Sequence, residues 1–439
     1  MIRQESRIRG APRPGRGAGL RTTAGSRSPE IALRSAAHRP RRIAAAVLAA
    51  LCGTAMAADP GAAPEVAADS AVPEPSSPGF VWRPQISLTP TYDDNIYALP
   101  SDTIADWVWV VSPTLSAESQ WDTHRIRLDA GLELARYDDY TSEDYDDWWV
   151  NADGRYDLAP GSNLFGGIGF SQEHEERGSP DAVAPAETLA AIPAEPTVYT
   201  TLTAQGGVVQ RFGGYQLRAG ATFERLDYDD VPGLAGSTID SDYRDRRVLG
   251  VSVRLSRALD DRRDLFAQAQ WNERRYDETP DAYGYLRDSD GYRLAVGLKG
   301  QLGRGLEAEG YLGYLRQDYD DPRFDTVDGL DFAGKINWRA GPRTGVRLTL
   351  ERTVYETTLA GSSSYLYTNL GGSLAHQLDD RTTLNANLGA GLVAYQDVGR
   401  DDWIYLAGLS ARYQIVPQVY LTAGYRWVRR DSNEGGDAF

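Results

Sequence analysis

Lysine is almost missing from this chain of 439 residues: only Lys299 and Lys335 occur. Cysteine occurs once, at Cys52, and histidine four times. After Cys52 no disulfide, thiol nucleophile or cysteine metal site is available. No stretch beyond residue 60 approaches the ~18 consecutive apolar residues that a spanning helix needs, and mean hydropathy is −0.46. Long helices of soluble domains carry more Lys, Ala and Leu than this. Basic residues are also in deficit. The first 57 residues hold eleven of the 46 basic residues and two of the 62 acidic ones, which leaves 35 basic against 60 acidic in the remainder. A phosphate backbone needs basic clusters to neutralise it, so nucleic acid is excluded as a partner. Three histidines lie beyond the leader: His124, His174 and His376. Nucleophilic catalysis needs a Ser–His pair within hydrogen-bond reach. Ser373 and His376 fall on opposite sides of a strand, so no catalytic residue is assigned and the chain is not read as an enzyme.

What is present begins with a leader. Arg41-Arg42, the apolar run Ile43–Ala57 and the Ala55-Met56-Ala57 ending are the signature of a secretory signal peptide with an extended basic region, over residues 1–57. A start codon downstream of Met1 fits the length of that region. A lipoprotein cysteine at Cys52 is disfavoured by bulky Leu51, and Arg41-Arg42 is too common a pair to establish a twin-arginine signal. Residues 58–83, rich in Pro, Ala, Glu and Ser, read as a disordered periplasmic lead-in.

From residue 84 to 439 one pattern repeats. In the stretch RTTLNANLGAGLVAYQD, Leu384, Ala386, Leu388, Ala390, Leu392 and Ala394 share one face, and Asn385, Asn387, Gly389 and Gly391 the other. Period-two alternation is a strand signal. Short turns such as APGSN (159–163) and VPQ (416–418) alternate with longer acidic connections near 93–104, 138–144, 175–197, 229–242, 278–288, 318–328, 357–363 and 397–401. Long antiparallel strands joined by alternating short and long connections describe a transmembrane β-barrel with short periplasmic turns and long extracellular loops. A closed barrel pairs every backbone group internally, as a bilayer requires. A soluble sandwich would bury the charged face at several kcal/mol per ion, and no propeller blade motif is found. The fold class is therefore all-β, an antiparallel barrel. About seventeen strands are countable, the last at Val419–Arg430. Barrels normally have an even number, so eighteen is expected, with the final strand missing from this chain; sixteen is the alternative.

The charged face supplies the candidate lumen-lining residues Arg127, Glu133, Arg293, Lys299, Glu307, Glu309, Arg347 and Glu351. Such residues either wet a water-filled lumen or form rings that select solutes. The loop at Glu175–Thr197 is the candidate for folding inward, with a short helix expected at AETLAA. The tripeptide Tyr-Asp-Asp recurs at strand ends. Its tyrosines at Tyr92, Tyr137, Tyr228 and Tyr319, and Tyr276 of the related Tyr-Asp-Glu stretch, are expected at the membrane interface, as in an aromatic girdle. The aspartates form an expected extracellular acidic rim: Asp93, Asp94, Asp138, Asp139, Asp229, Asp230, Asp320 and Asp321. Their spacing does not match an EF-hand, and no metal or cofactor is assigned. The rim is a candidate for divalent cations that bridge lipopolysaccharide phosphates.

The opening Thr91–Tyr97, the following Ser112–Ala117 and the closing Gly424–Asn433 resemble motifs of the Putative β-barrel porin 2 family of Gram-negative outer membranes, over a match from about Pro84 to the end. The resemblance implies an outer-membrane barrel, often associated with exopolysaccharide or capsule production, and supplies no catalytic residues. Family members usually continue with one more strand past Asn433. The expected function is passive passage of a hydrophilic solute or polysaccharide; the alternative is a non-conducting structural or assembly barrel. The expected location is the cell outer membrane. Expected partners are its lipid and lipopolysaccharide, the barrel assembly machinery, and polysaccharide or secretion components.

Overall fold

A computed structural model describes residues 79–180 and 193–434. The expected signal peptide, most of the lead-in and the helix expected at AETLAA lie outside the described residues.

Period-two sequence becomes seventeen long strands in one sheet. They are β1 (Phe80–Asp93), β2 (Asp106–Ser119), β3 (His124–Tyr137), β4 (Tyr145–Ala159), β5 (Ser162–His174), β6 (Val198–Phe212), β7 (Tyr215–Tyr228), β10 (Arg246–Ala258), β11 (Arg263–Tyr276), β12 (Ser289–Gly303), β13 (Leu306–Tyr319), β14 (Val327–Gly341), β15 (Thr344–Glu356), β16 (Ser364–Gln377), β17 (Thr382–Tyr395), β18 (Asp401–Val416) and β19 (Val419–Ser432). Two two-residue strands, β8 (Val231–Pro232) and β9 (Thr238–Ile239), pair as a ribbon within the loop after β7. Each long strand pairs antiparallel with its sequence neighbours, β7 passing directly to β10. This up-and-down meander is the barrel architecture expected from the loop pattern. Among the described residues it has seventeen wall strands, the number countable in the sequence. Its edges are β1 and β19, which run in the same direction, and no ladder joins them among the described residues. β1 starts at Phe80, ahead of the expected boundary at 84, because Phe80 and Trp82 extend the outer aromatic face; Phe80 lies 6.3 Å from Trp82 and 5.9 Å from Trp121.

Connections at one end are tight, as at 160–161 and 304–305, where Gly161 and Gly305 take positive φ that a side chain would strain. At the other end they are long, and the base of the loop after β5 is tied by the Glu175 N–H donating to the Thr197 carbonyl at 2.8 Å.

The two faces separate cleanly through most of the wall. Ile86, Leu128, Val150, Leu294, Leu312, Leu388 and Leu409 stand exposed on the outer face, where lipid would cover them. Aromatic pairs band this face near both ends: Tyr92–Trp107 at 5.5 Å and Trp403–Tyr405 at 6.1 Å toward the long loops, Phe212–Tyr215 at 5.9 Å by a short turn. The inner face carries the charges, and large rings lie flat there over glycines of the next strand. A side chain at Gly131 would meet the Trp149 ring at 2.1 Å, and one at Gly297 the Phe266 ring at 2.3 Å.

One sector departs from a simple cylinder. The β14–β15 ladder stops at Ala333–Glu351, so the outer parts of the two strands separate. Beyond that point Val354, Leu366 and Ala394, on the face that is outward lower down, pack against Leu315 and Val327 on the inner face of β13 and β14. Their opposite face carries a second buried cluster of Tyr365, Val393 and Tyr395 with Tyr355 and Tyr367. The outer ends of β15, β16 and β17 therefore fold inward, with apolar contacts on both sides. Glu356 of this sector meets Arg274 and Tyr276 of β11, the tyrosine hydroxyl donating to it at 2.8 Å.

Candidate functional site: the polar inner wall and its mouth

All eight sequence-assigned lining residues stand on the inner face, set by strand parity. Arg127 pairs with Asp129 at 2.6 Å. Glu133 is buried and accepts a hydrogen bond from the Tyr145 hydroxyl at 2.9 Å. Arg293 lies 3.4 Å from Asp331 and donates to the Arg352 carbonyl at 3.0 Å. Lys299 and Arg254 share Glu309, at 3.6 and 2.7 Å. Arg347 donates to Asn337 at 3.2 Å, Glu307 lines a cavity with Lys299, and Glu351 faces Ala333 across the ladder. The structure thus brings Lys299, Glu307 and Glu309 together and leaves Arg127 and Glu133 on a separate sector. Arg254, whose guanidinium lies 3.5 Å above the Phe266 ring, was not among the sequence candidates. Its signal was its parity with Ser252 and its opposition to Val253 and Leu255.

The interface assignment holds for Tyr92, whose ring packs tilted against Trp107 on the outer face. It fails for the other four tyrosines. Tyr137 lies opposite Val108 in the ladder and packs on the inner cluster of Val108, Val110 and Ala135. Tyr228 is buried under Arg244 at 4.1 Å. Tyr276 bonds to Glu356, and Tyr319 contacts the inner cluster of Leu315 and Val327. Strand parity explains the correction: Tyr137 shares the face of Glu133, and Tyr228 that of Glu224. These tyrosines line the inside of the outer end.

The acidic rim is also divided. Asp138 accepts from the Trp109 indole at 3.1 Å, and Asp93 from the Asn95 N–H at 2.8 Å. Asp94 lies in the first long loop, where burial and Asp93 raise its pKa. Asp139, Asp229 and Asp320 are exposed at the starts of their loops. Asp321 is not a rim group. It is buried, bound by Arg323 and by the Leu286 N–H at 2.9 Å, and the Arg323 guanidinium holds its carboxyl well below the usual range. Asp230, Asp240 and Asp242 are exposed with oxygens within 4.8 Å of one another. Backbone N–H groups of Ser241 and Asp242 occupy Asp230 and Asp240. Nearby, burial pushes the Asp245 carboxyl up to about 6, helped by Asp227, Asp242 and Asp277 and opposed by the Tyr228 N–H, which donates to it at 2.6 Å.

Loops interlock at this end. Arg287, fully buried, donates to Asp281 at 2.5 Å and to the carbonyls of Thr357 and Ser362 at 2.6 and 2.9 Å, so the loops after β11 and β15 form one unit. The described start of the loop after β5, residues 175–180, forms a strap that reaches the far wall. Arg177 pairs with Glu143 at 2.8 Å and Arg244 with Glu175 at 2.6 Å, anchoring the strap on its own side. The Gly178 carbonyl then accepts from Arg430 of β19, and the Pro180 carbonyl from the Tyr395 hydroxyl of β17, both at 3.1 Å. Nine wall strands lie between β5 and β17 in the meander. Arg430 is itself fixed on the fully buried Asp402, which Arg400 also holds at 2.9 Å. Strap and infolded strands thus meet across the mouth.

Each of the three described histidines has its own separate partner. His124 Nδ1 accepts from the Asp157 N–H, His174 stacks 3.6 Å from Tyr145 beside Asp147, and His376 bonds to Thr344.

The family described as Putative beta-barrel porin 2 matches residues 78–439. The chain belongs to this family. The porin-type barrel and the seventeen-strand meander agree. No relative was found among curated proteins. Similar solved structures include the siderophore receptor PiuA from Acinetobacter baumannii, at 11% identity over 80% of this chain and 70% of that one, TM-score 0.43. Others are the FrpB iron transporter from Neisseria meningitidis (10%, 74% and 61%, 0.45) and the copper transporter OprC (12%, 79% and 69%, 0.45). The porin-family chain thus spans 61% of FrpB's length. At these scores nothing of their cargo transfers to this chain.

Proposed function

We propose that this porin-family chain sits in the outer membrane and gives a hydrophilic solute passive passage. The single observation that carries the reading is the inner wall, polar and charged on strand after strand behind an exposed apolar outer face. Mixed Arg, Lys and Glu positions on such a wall give weak multi-site binding that guides and releases. The strap and infolded strands make passage gated at the mouth. The finer reading, export of an exopolysaccharide or capsule chain, rests on the family resemblance, as do the proposed partners: lipopolysaccharide, the barrel assembly machinery and polysaccharide secretion components. Planar-bilayer recording of the refolded chain tests passage: step-like conductance that rises when the strap is released is expected. No conductance in wild type or strap variants would remove passage and leave the second reading, a structural barrel of an envelope complex, which the loop contacts across the mouth favour.

A further inference from the structure

The only two lysines of the sequence stand in one row of the inner wall, on either side of one carboxylate. Lys299 of β12 is opposite Glu309 of β13, and Glu309 is opposite Lys335 of β14. Glu309 is already shared: one oxygen takes Arg254 at 2.7 Å and the other lies 3.6 Å from Lys299. Lys335 has no ion pair within 4.0 Å and no hydrogen bond among the described residues, although it is only half exposed. Arg347, one row toward the short turns, adds a further cation. The opposing carboxylates are Glu307 in that next row, Asp264 at the far end of the lysine row, and Asp260 and Asp261 of the turn before β11, Asp260 being held by Arg263 at 2.5 Å; none comes within 4.0 Å of a lysine nitrogen. Both lysines, Glu309 and these carboxylates border a cavity of about 740 Å³ at the short-turn end; Arg254 and Arg347 stand outside its lining. A half-buried ammonium with no hydrogen-bonded acceptor forfeits hydration that the charge of Glu309 across the ladder repays only in part, and an arriving oxyanion would supply the missing acceptor.

We propose that this cavity is an oxyanion subsite: Lys335 and Lys299 grip a carboxylate or phosphate group of the solute, and Glu309 keeps the grip weak enough to release it. The proposal deepens the passage reading and rests on the wall being wet. Reductive ¹³C-methylation of the folded barrel in micelles labels only these two side chains and the N-terminal amine, and it needs no open mouth. Sodium phosphate and sodium glucuronate are titrated against sodium chloride of equal ionic strength. Both lysine signals should shift saturably with at least one of the two oxyanions, while the N-terminal signal follows ionic strength alone. The oxyanion that shifts them identifies the group recognised. Lys335→Gln, which breaks no internal contact, should weaken the response of Lys299 about tenfold, the scale of one charge-assisted hydrogen bond. Glu309→Gln should tighten it. Lysine shifts that match the chloride control, or a Lys299 response unchanged by Lys335→Gln, would overturn the subsite. A barrel that fails to conduct but shows the saturable shifts would refute passage and leave the subsite standing.

Discussion

Releasing the strap tests the mouth most directly. Tyr395→Phe deletes the hydroxyl that donates to the Pro180 carbonyl and accepts from Arg430 at 3.4 Å; the bond to the strap is neutral and worth about 1 kcal/mol. The released strap population should then rise about fivefold. Arg430→Met deletes a charged donor to the Gly178 carbonyl and leaves Asp402 paired with Arg400. At about 2 kcal/mol for such a bond, release should rise about thirtyfold. The measurement uses the shortage of cysteine. A chain begun after residue 57 contains none, so Ser179→Cys places a single thiol on the strap. Its alkylation rate tracks the released population when closing is faster than labelling. The order wild type, Tyr395→Phe, Arg430→Met should appear both in alkylation rate and in channel open probability. Heat-modifiable migration of each variant verifies folding. Folded variants with unchanged alkylation would refute the latch, because the strap would then be held by Arg177–Glu143 and Arg244–Glu175 alone.

Three further outcomes follow from the wall and one long loop. Leu388, 67% exposed at the middle of β17, should face the bilayer centre, and Leu388→Arg should destabilise the barrel by about 2–4 kcal/mol in lipid vesicles; equal stability in vesicles would contradict the outer face assigned here. Gly297→Val collides with the Phe266 ring and the Gly310 carbonyl, whereas a side chain at Gly334 meets nothing within 4 Å. Overpacking should cost about 1–3 kcal/mol at Gly297 and little at Gly334, readable as urea midpoints. Asp245 binds its proton more tightly folded than unfolded, since its folded value is about 6 against an unfolded value near 3.9. Its ionisation therefore costs stability, and the loop should become more protected as pH falls from about 7 toward 4. Asp245→Asn should flatten that dependence in amide exchange of the 229–245 loop; an unaltered pH profile would rule this carboxyl out.

The lining residues were legible because strand parity is a local rule. Once Leu294, Val296 and Leu298 face outward, Arg293 and Lys299 have no choice of side. The tyrosines were misplaced for a related reason. Grouping them by their shared tripeptide overrode the parity that sets Tyr137 with Glu133 and Tyr276 with Arg274. The latch had no such signal, since Tyr395 and Pro180 are 215 residues apart and each resembles an ordinary strand end or loop residue.

Alternation and loop length determined the strand set, its antiparallel order and the two faces, because backbone pleating and short turns act between neighbours in sequence. The infolded ends of β15, β16 and β17, the loss of Asp321 from the rim and the strap across the mouth were decided only by the tertiary structure. They depend on where the curvature of the sheet carries strands far apart in the chain, and on which buried charges then find a partner.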